Sequence, residues 1–230
     1  MNVLTVWSRD TVWCGVVRSH LALDGVIRRV HVFNGLKAET RLRLERDFAD
    51  HRCTFITSAH RLPIARAYNL GLRVIPESED VLEYQDDIVT APSMVMALAS
   101  CEYDVAAGWH NDRSYQEAFE FEGMRYTAGM CMLLRARVRQ RIGFHCELFI
   151  NGVDGDYGMR AHEAGFTCGH LKNPRVKHLG RVTTYGNNEM GRRFHEHGKR
   201  MTEFLKANGL QNMRYEPQHA DFDGVTVVER

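Results

Sequence analysis

Residues 82–92 read LEYQDDIVTAP. An apolar approach runs into Asp86 and Asp87, and Ile88 and Val89 resume the apolar pattern before Pro92 breaks it. Adjacent carboxylates repel each other, and taking either out of water is costly unless a cation or a donor stands opposite. The pair therefore reads in two ways. One is an acidic turn left in water. The other is a cation site, in which the bound charge offsets the repulsion. The elements that carry the pair decide between them.

Over the first half, short β-rich runs alternate with helix-like runs. Strands are expected at 3–7 (VLTVW), 26–35 (VIRRVHVFNG), 53–58 (CTFITS), 80–87 (DVLEYQDD) and 103–109 (YDVAAGW). Between them lie helical patterns at 11–23, 36–49, 63–75 and 91–100. Leu36, Leu42, Leu44 and Phe48 sit near helical spacing, and Pro63 suits a first helical turn. Such alternation predicts an α/β domain built on an open, mostly parallel sheet with helices on both faces. In these sheets the ligand crevice lies beyond the carboxyl ends of the strands. Ser8, Arg9, Asn34, Gly35, Thr57, Ser58, Asp86 and Asp87 then share one rim, which favours the cation site.

The second half differs. Residues 111–126 are polar and aromatic and read as a loop or hairpin leaving the sheet. A strand at 130–134 leads into a helix that Gly143 ends. A helix of two to three turns follows, closed by Gly165, and FTCGHL (166–171) reads as the last strand. Beyond come PRVKHLG, a helical stretch at 187–209 and the tail DFDGVTVVER.

The bulk numbers fit one large domain. The chain has 230 residues, 44% of them hydrophobic and 26% charged, as in a soluble protein with a real core. The net charge of +1 gives no global case for nucleic acid or membrane. No apolar run approaches the roughly 18–20 residues of a membrane helix, and MNVLTVWSRD lacks the pattern of a secretory signal. The six cysteines are scattered without a C-x-x-C pair, against a zinc or disulfide framework. They suit reduced thiols in a cytoplasmic setting.

In this order the pieces resemble the GT-A glycosyltransferases, family 2 in particular. ARAYNLGLRVI looks like that family's helix with Asn-x-Gly, here Asn69 and Gly71. LEYQDDIV looks like its Asp-x-Asp strand, and YTAGMCMLLRARVRQRIGFHCELF like its Gly-led strand and following helix. NGVDGDYGMRAHEAGF resembles its acidic helix start, and PRVKHLG its closing His motif. The resemblance covers residues 1–180. It implies a single Rossmann-like GT-A domain with a nucleotide-binding half at 1–109 and an acceptor-side half at 110–180. Residues 181–230 would supply a C-terminal helix and tail packed on it.

The resemblance implies metal-dependent, inverting transfer of a sugar from a nucleotide-diphosphate donor, a UDP-sugar foremost, to an acceptor hydroxyl. Mn²⁺ or Mg²⁺ would be held by Asp87 and His178. Gln85-Asp86-Asp87 stands where Asp-x-Asp is usual, so Gln85 departs from the pattern and adds no charge. Asp154 is the general base, although the family's Glu-Asp pair reads Val153-Asp154 here. Asp156 serves the acceptor or caps the helix, and Arg160 pairs within that helix. Ser8, Arg9, Asn34, Arg66, Asn69, Gln85, Asp86 and Gly129 fall on the donor side. Lys172, Arg175, Lys177, Arg181, Arg192, Arg193, Lys199, Arg200 and Lys206 make the last third locally basic. That suits an anionic acceptor, such as a hydroxymethylated base in DNA, a glycan or a lipid carrier. Two other classes use the same residues: a metal-dependent phosphoesterase or nucleotidyltransferase, and an inactive nucleotide-sugar-binding module.

Overall fold

The computed structural model describes residues 1–49, 51–110, 119–121, 124–126, 130–147, 153–179, 200, 203, 207, 214–217 and 224–229. The chain opens with β1 (Asn2–Trp7), α1 (Cys14–Leu21), β2 (Arg28–Asn34), α2 (Ala38–Asp47), β3 (Cys53–Ser58), α3 (Ile64–Arg73) and β4 (Val81–Tyr84). It continues with β5 (Ile88–Thr90), α4 (Met94–Ala99), β6 (Val105–His110) and the hairpin β7 (Phe119–Phe121) and β8 (Met124–Tyr126). Then come β9 (Cys131–Leu134), α5 (Ala136–Ile142), α6 (Val153–Glu163), β10 (Cys168–His178) and β11 (Val225–Glu229).

Among the described residues nine strands form one sheet in the order β11-β3-β2-β1-β4-β9-β6-β10-β5. The strands β3, β2, β1 and β4 run parallel, as does β10 against β6. The strand β9 lies antiparallel between β4 and β6, and the edges β5 and β11 are antiparallel to β10 and β3. The sheet is therefore mixed. FTCGHL is not the last strand: β10 extends through the PRVKH segment past a bulge between Leu171 and Arg175, and β11 follows it. The short β5 and the largely exposed β11 carry too little apolar pattern to stand out in sequence.

Side-chain alternation splits the strands between two cores. In β1, Leu4 and Val6 face one side, under Ala67, Tyr68, Leu70 and Leu72 of α3, Val138 of α5 and Tyr157 of α6. Val3 and Trp7 face the other, under Leu98 of α4, Val16 of α1 and Leu44 of α2. The helix α3 lies close on β1 because residue 71 is glycine. A Cβ there would sit 2.1 Å from Leu4 Cδ1. Arg139, buried in α5, donates to the carbonyls of Leu72, Ile75, Pro76 and Glu79 and so closes the C-terminal end of α3.

All six cysteines are free, and Cys53, Cys131, Cys146 and Cys168 are buried. Among the described residues no helix is long and apolar enough to cross a membrane.

Candidate functional site

Asp86 and Asp87 occupy the turn between β4 and β5, yet only 7% and 1% of their surface is exposed. A turn left in water is thereby excluded, and each carboxylate has a defined opposite. Ser8, one residue past β1, donates its backbone N–H to Asp86 Oδ2 at 2.8 Å and its hydroxyl to the same oxygen at 3.3 Å. Arg9 brings Nη1 to 2.8 Å from Asp87 Oδ2 and Nε to 4.0 Å from Asp86 Oδ1. The Nη1 contact is one of charge, without the angle of a hydrogen bond. Burial pushes the Asp86 carboxyl up, while the Ser8 donors and the Arg9 charge pull against it.

His178 closes the group. The antiparallel pairing of β5 and β10 sets His178 opposite Ile88, and the Leu179 N–H donates to the Asp87 carbonyl at 2.8 Å. The imidazole Nε2 then lies 2.8 Å from Asp87 Oδ2. Asp87 Oδ1 is buried and accepts no hydrogen bond among the described residues. The turn itself is pinned from α1. The Ser19 hydroxyl accepts the Thr90 N–H at 2.8 Å and lies 2.9 Å from the Tyr84 hydroxyl.

A divalent cation fits this donor set in part. A buried carboxylate oxygen without a partner and an adjacent imidazole are suitable ligands, Mn²⁺ accepting the nitrogen more readily than Mg²⁺. Among the described residues no three His, Cys, Asp or Glu side chains gather into a metal cage. The residues therefore suit an ion that takes most of its shell from a bound ligand and water.

Asp154 lies in the first turn of α6 and is half-buried. Its charge and those of Asp86, Asp87 and Glu83 all act on the buried Tyr68 hydroxyl, which burial and these carboxylates hold well above the usual phenol range. Tyr68 of α3 thus stands among the acidic groups, although in sequence an aromatic on an amphipathic helix reads as core. Glu83 itself is buried in β4 and pairs with His145 Nε2 at 2.6 Å. A lone Glu inside an apolar strand was the sequence signal for that partner. Arg61, also unforeseen, donates to the Ser8 carbonyl.

The other expected residues divide between rim and scaffold. Gln85 is half-buried beside the carboxylates and its N–H donates to the Met130 carbonyl at 3.0 Å. Arg66 lines a small hollow with Ser58, His60, Leu62 and Gly224. Asn34 spends its amide on the Leu62 peptide, accepting at 2.7 Å and donating at 3.0 Å. Asn69 likewise accepts the His145 N–H at 2.9 Å and donates to the His145 carbonyl at 2.9 Å and to Glu147 at 3.1 Å. Asp156 is buried, and its Oδ2 receives Arg160 Nε at 3.0 Å and Nη2 at 2.8 Å. Arg160 also donates to the carbonyls of Ile142 and Phe144. Asp156 therefore anchors α6 through Arg160. Gly129, Arg181, Arg192, Arg193, Lys199 and Lys206 lie outside the described residues, while Lys172, Arg175, Lys177 and Arg200 are exposed.

No protein-family model matches the sequence, and no curated protein matches it. Solved structures do. S. aureus TarS in complex with UDP-GlcNAc superposes with a TM-score of 0.64 at 14% identity, over 89% of this chain and 66% of that one. The mannosyltransferase PcManGT from Pyrobaculum calidifontis, in complex with GDP-Man and Mn²⁺, gives 0.62 at 13% identity, over 80% of this chain and 58% of that one. The chain thus spans less than two thirds of the length of these two. The inositol-1-phosphate CTP transferase from T. maritima gives 0.54 at 11% identity, over 85% of this chain and 95% of that one. The fold is GT-A.

Proposed function

We propose that this chain is a glycosyltransferase that moves a sugar from a nucleoside-diphosphate donor to an acceptor hydroxyl, with a divalent cation and with inversion. The observation that carries the reading is the buried Asp87. One of its oxygens meets His178 and the other accepts no hydrogen bond among the described residues, at the carboxyl rim of a GT-A sheet. A cation bound there, Mn²⁺ or Mg²⁺, neutralises the charge that builds on the departing diphosphate. Asp87 and His178 hold it. Ser8 keeps Asp86 in place, and Arg9 and Arg66 offer the planar fork that suits phosphate oxygens. Gln85 leaves the site one negative charge short of an Asp-x-Asp pattern, which lowers its affinity for a bare ion. Asp154, half-exposed at the start of α6, takes the proton from the acceptor hydroxyl as it attacks. A single displacement of this kind inverts the anomeric carbon. Asn34 and Asn69 brace the loops that carry this machinery, and Asp156 holds the start of α6 through Arg160.

The donors in the complexes of TarS and PcManGT support a UDP- or GDP-sugar. Lys172, Arg175 and Lys177, exposed on the strand that ends at His178, support an anionic acceptor, a hydroxymethylated base in DNA or an anionic glycan. Six free thiols support a reducing, cytoplasm-like compartment.

Thermal shift against a panel of nucleoside-diphosphate sugars, with and without Mn²⁺, tests the reading. A donor that stabilises the protein only with Mn²⁺ supports it, and a panel without any shift defeats it. A second reading, nucleotidyl transfer, draws on the likeness to the T. maritima enzyme across 95% of that chain. It predicts pyrophosphate release from a nucleoside triphosphate and a sugar phosphate, where the first reading predicts release of a nucleoside diphosphate.

A further inference from the structure

Arg9 stands where the cation of the proposed reaction has to go. Its Nη1 is 2.8 Å from Asp87 Oδ2, the same oxygen that His178 Nε2 approaches at 2.8 Å. Its Nε faces Asp86 Oδ1 at 4.0 Å. We propose that Arg9 is an internal counter-cation, which offsets part of the charge of Asp86 and Asp87 until the donor binds and then passes to the donor's diphosphate as the divalent cation takes Asp87. The proposal rests on the metal-dependent reading above.

The exchange follows from distance and charge. Mn²⁺ or Mg²⁺ binds carboxylate oxygen at about 2.1 Å. An ion on Asp87 therefore lands within a few ångströms of the guanidinium. The Asp87 side chain is 2% exposed, so water and salt screen that repulsion poorly. Ion and guanidinium therefore compete for the Asp87 carboxylate.

Arg9 has somewhere to go. It belongs to the segment between β1 and α1, and its side chain reaches the surface with 19% exposure. It also lies near the Trp13 ring, 6.0 Å from the guanidinium carbon, a contact that tolerates sliding. The incoming diphosphate carries the oxygens that a guanidinium binds in bidentate fashion. Before exchange, one positive charge faces two carboxylates. After exchange, the added positive charge of the ion is matched by the diphosphate. The net charge of the group is therefore the same at both stages, one negative charge.

The consequence is coupling. Arg9 opposes an ion that arrives alone and admits one that arrives with a nucleoside diphosphate, and the coupling is reciprocal. Mn²⁺ binding to the full chain, read from the free-ion EPR signal with and without UDP or GDP, tests this. In the wild type the nucleotide tightens Mn²⁺ by about tenfold or more. In Arg9→Gln, Mn²⁺ alone binds about tenfold tighter than in the wild type, and the nucleotide tightens it by a smaller factor than in the wild type. Arg9→Lys keeps the charge without the fork. It still resists Mn²⁺ alone and gains less from the nucleotide. If Arg9→Gln and Arg9→Lys both bind Mn²⁺ alone as the wild type does, with the nucleotide effect intact, the exchange is overturned. If the wild type binds the nucleotide but never Mn²⁺, Arg9 is a permanent replacement for the ion, which also overturns it. If neither nucleotide nor Mn²⁺ binds the wild type, the fault lies in the proposed function itself.

Discussion

Asp87 and His178 are 91 residues apart in sequence, and their side chains meet at a single oxygen, Nε2 to Oδ2 at 2.8 Å. The contact joins the first half of the sheet to its far edge. Replacing Asp87 by Asn keeps the shape of the side chain and removes the charge that a cation needs. We expect Asp87→Asn to lose the Mn²⁺-dependent thermal shift and to lower kcat by about 100-fold or more. An undiminished Mn²⁺ shift in that variant removes Asp87 from the metal site.

Asp154 is expected to act on the acceptor alone. Asp154→Asn should keep the nucleotide-sugar shift and lower turnover by roughly 10²–10⁴-fold, the range of a lost general base. Asp156→Asn serves as the contrast. It should lower thermal stability by exposing Arg160 to an incomplete partner set, with catalysis following folded protein. Retained turnover in Asp154→Asn would falsify the base assignment.

Acid should weaken the fold through the second core. His20 is fully buried, 2.5 Å from the Thr5 hydroxyl, with His31, Arg29 and His51 also bearing on it. Burial first, then Arg29, depresses its pKa from 6.5 to about 3. His31 is depressed in the same direction by burial and by His20, Arg29 and His51. The unfolded chain therefore binds more protons than the folded one between these values, and stability falls as pH drops from about 6.5 towards 3. His20 alone accounts for up to about 5 kcal/mol at the low end of that window. Urea midpoints measured from pH 7 to pH 4 should fall steeply, and the slope should flatten in His20→Gln. An identical slope in that variant assigns the acid sensitivity elsewhere.

The close approach of α3 to β1 predicts a steric cost. Gly71→Ala drives a methyl into Leu4, and overpacking of this kind costs about 1–3 kcal/mol. For a domain of this size that lowers Tm by roughly 2–10 °C. Calorimetry of Gly71→Ala alongside Gly71→Ala/Leu4→Val tests the contact. The double variant should recover part of the loss, and no recovery means that the strain lies elsewhere.

Much of this was written in the order of the sequence. Apolar runs alternating with amphipathic helices announced the four parallel strands, and a charged pair breaking an apolar run announced the buried turn. Tyr68 was hidden because its role depends on which face of α3 meets the carboxylates. Asp156 and Arg160 were legible as a pair from their i,i+4 spacing. That the pair is buried was not, because spacing carries no information about depth. The strands β5 and β11 were missed since their ladders come from distant partners rather than from their own pattern.

The three residues of β5 have a consequence of another kind. The Ile88 to His178 pairing is one rung of a three-rung ladder at the edge of the sheet. Successive side chains on a strand point to opposite faces, so a slip of one residue carries the imidazole to the far side. The ladder also bears on both cores, since Ile88 and Val176 are buried in one and Val89 packs against the other. Alignment of the site and burial of this edge are thus set by the same three rungs: a change that shears β5 against β10 parts Asp87 from His178 and uncovers apolar surface together.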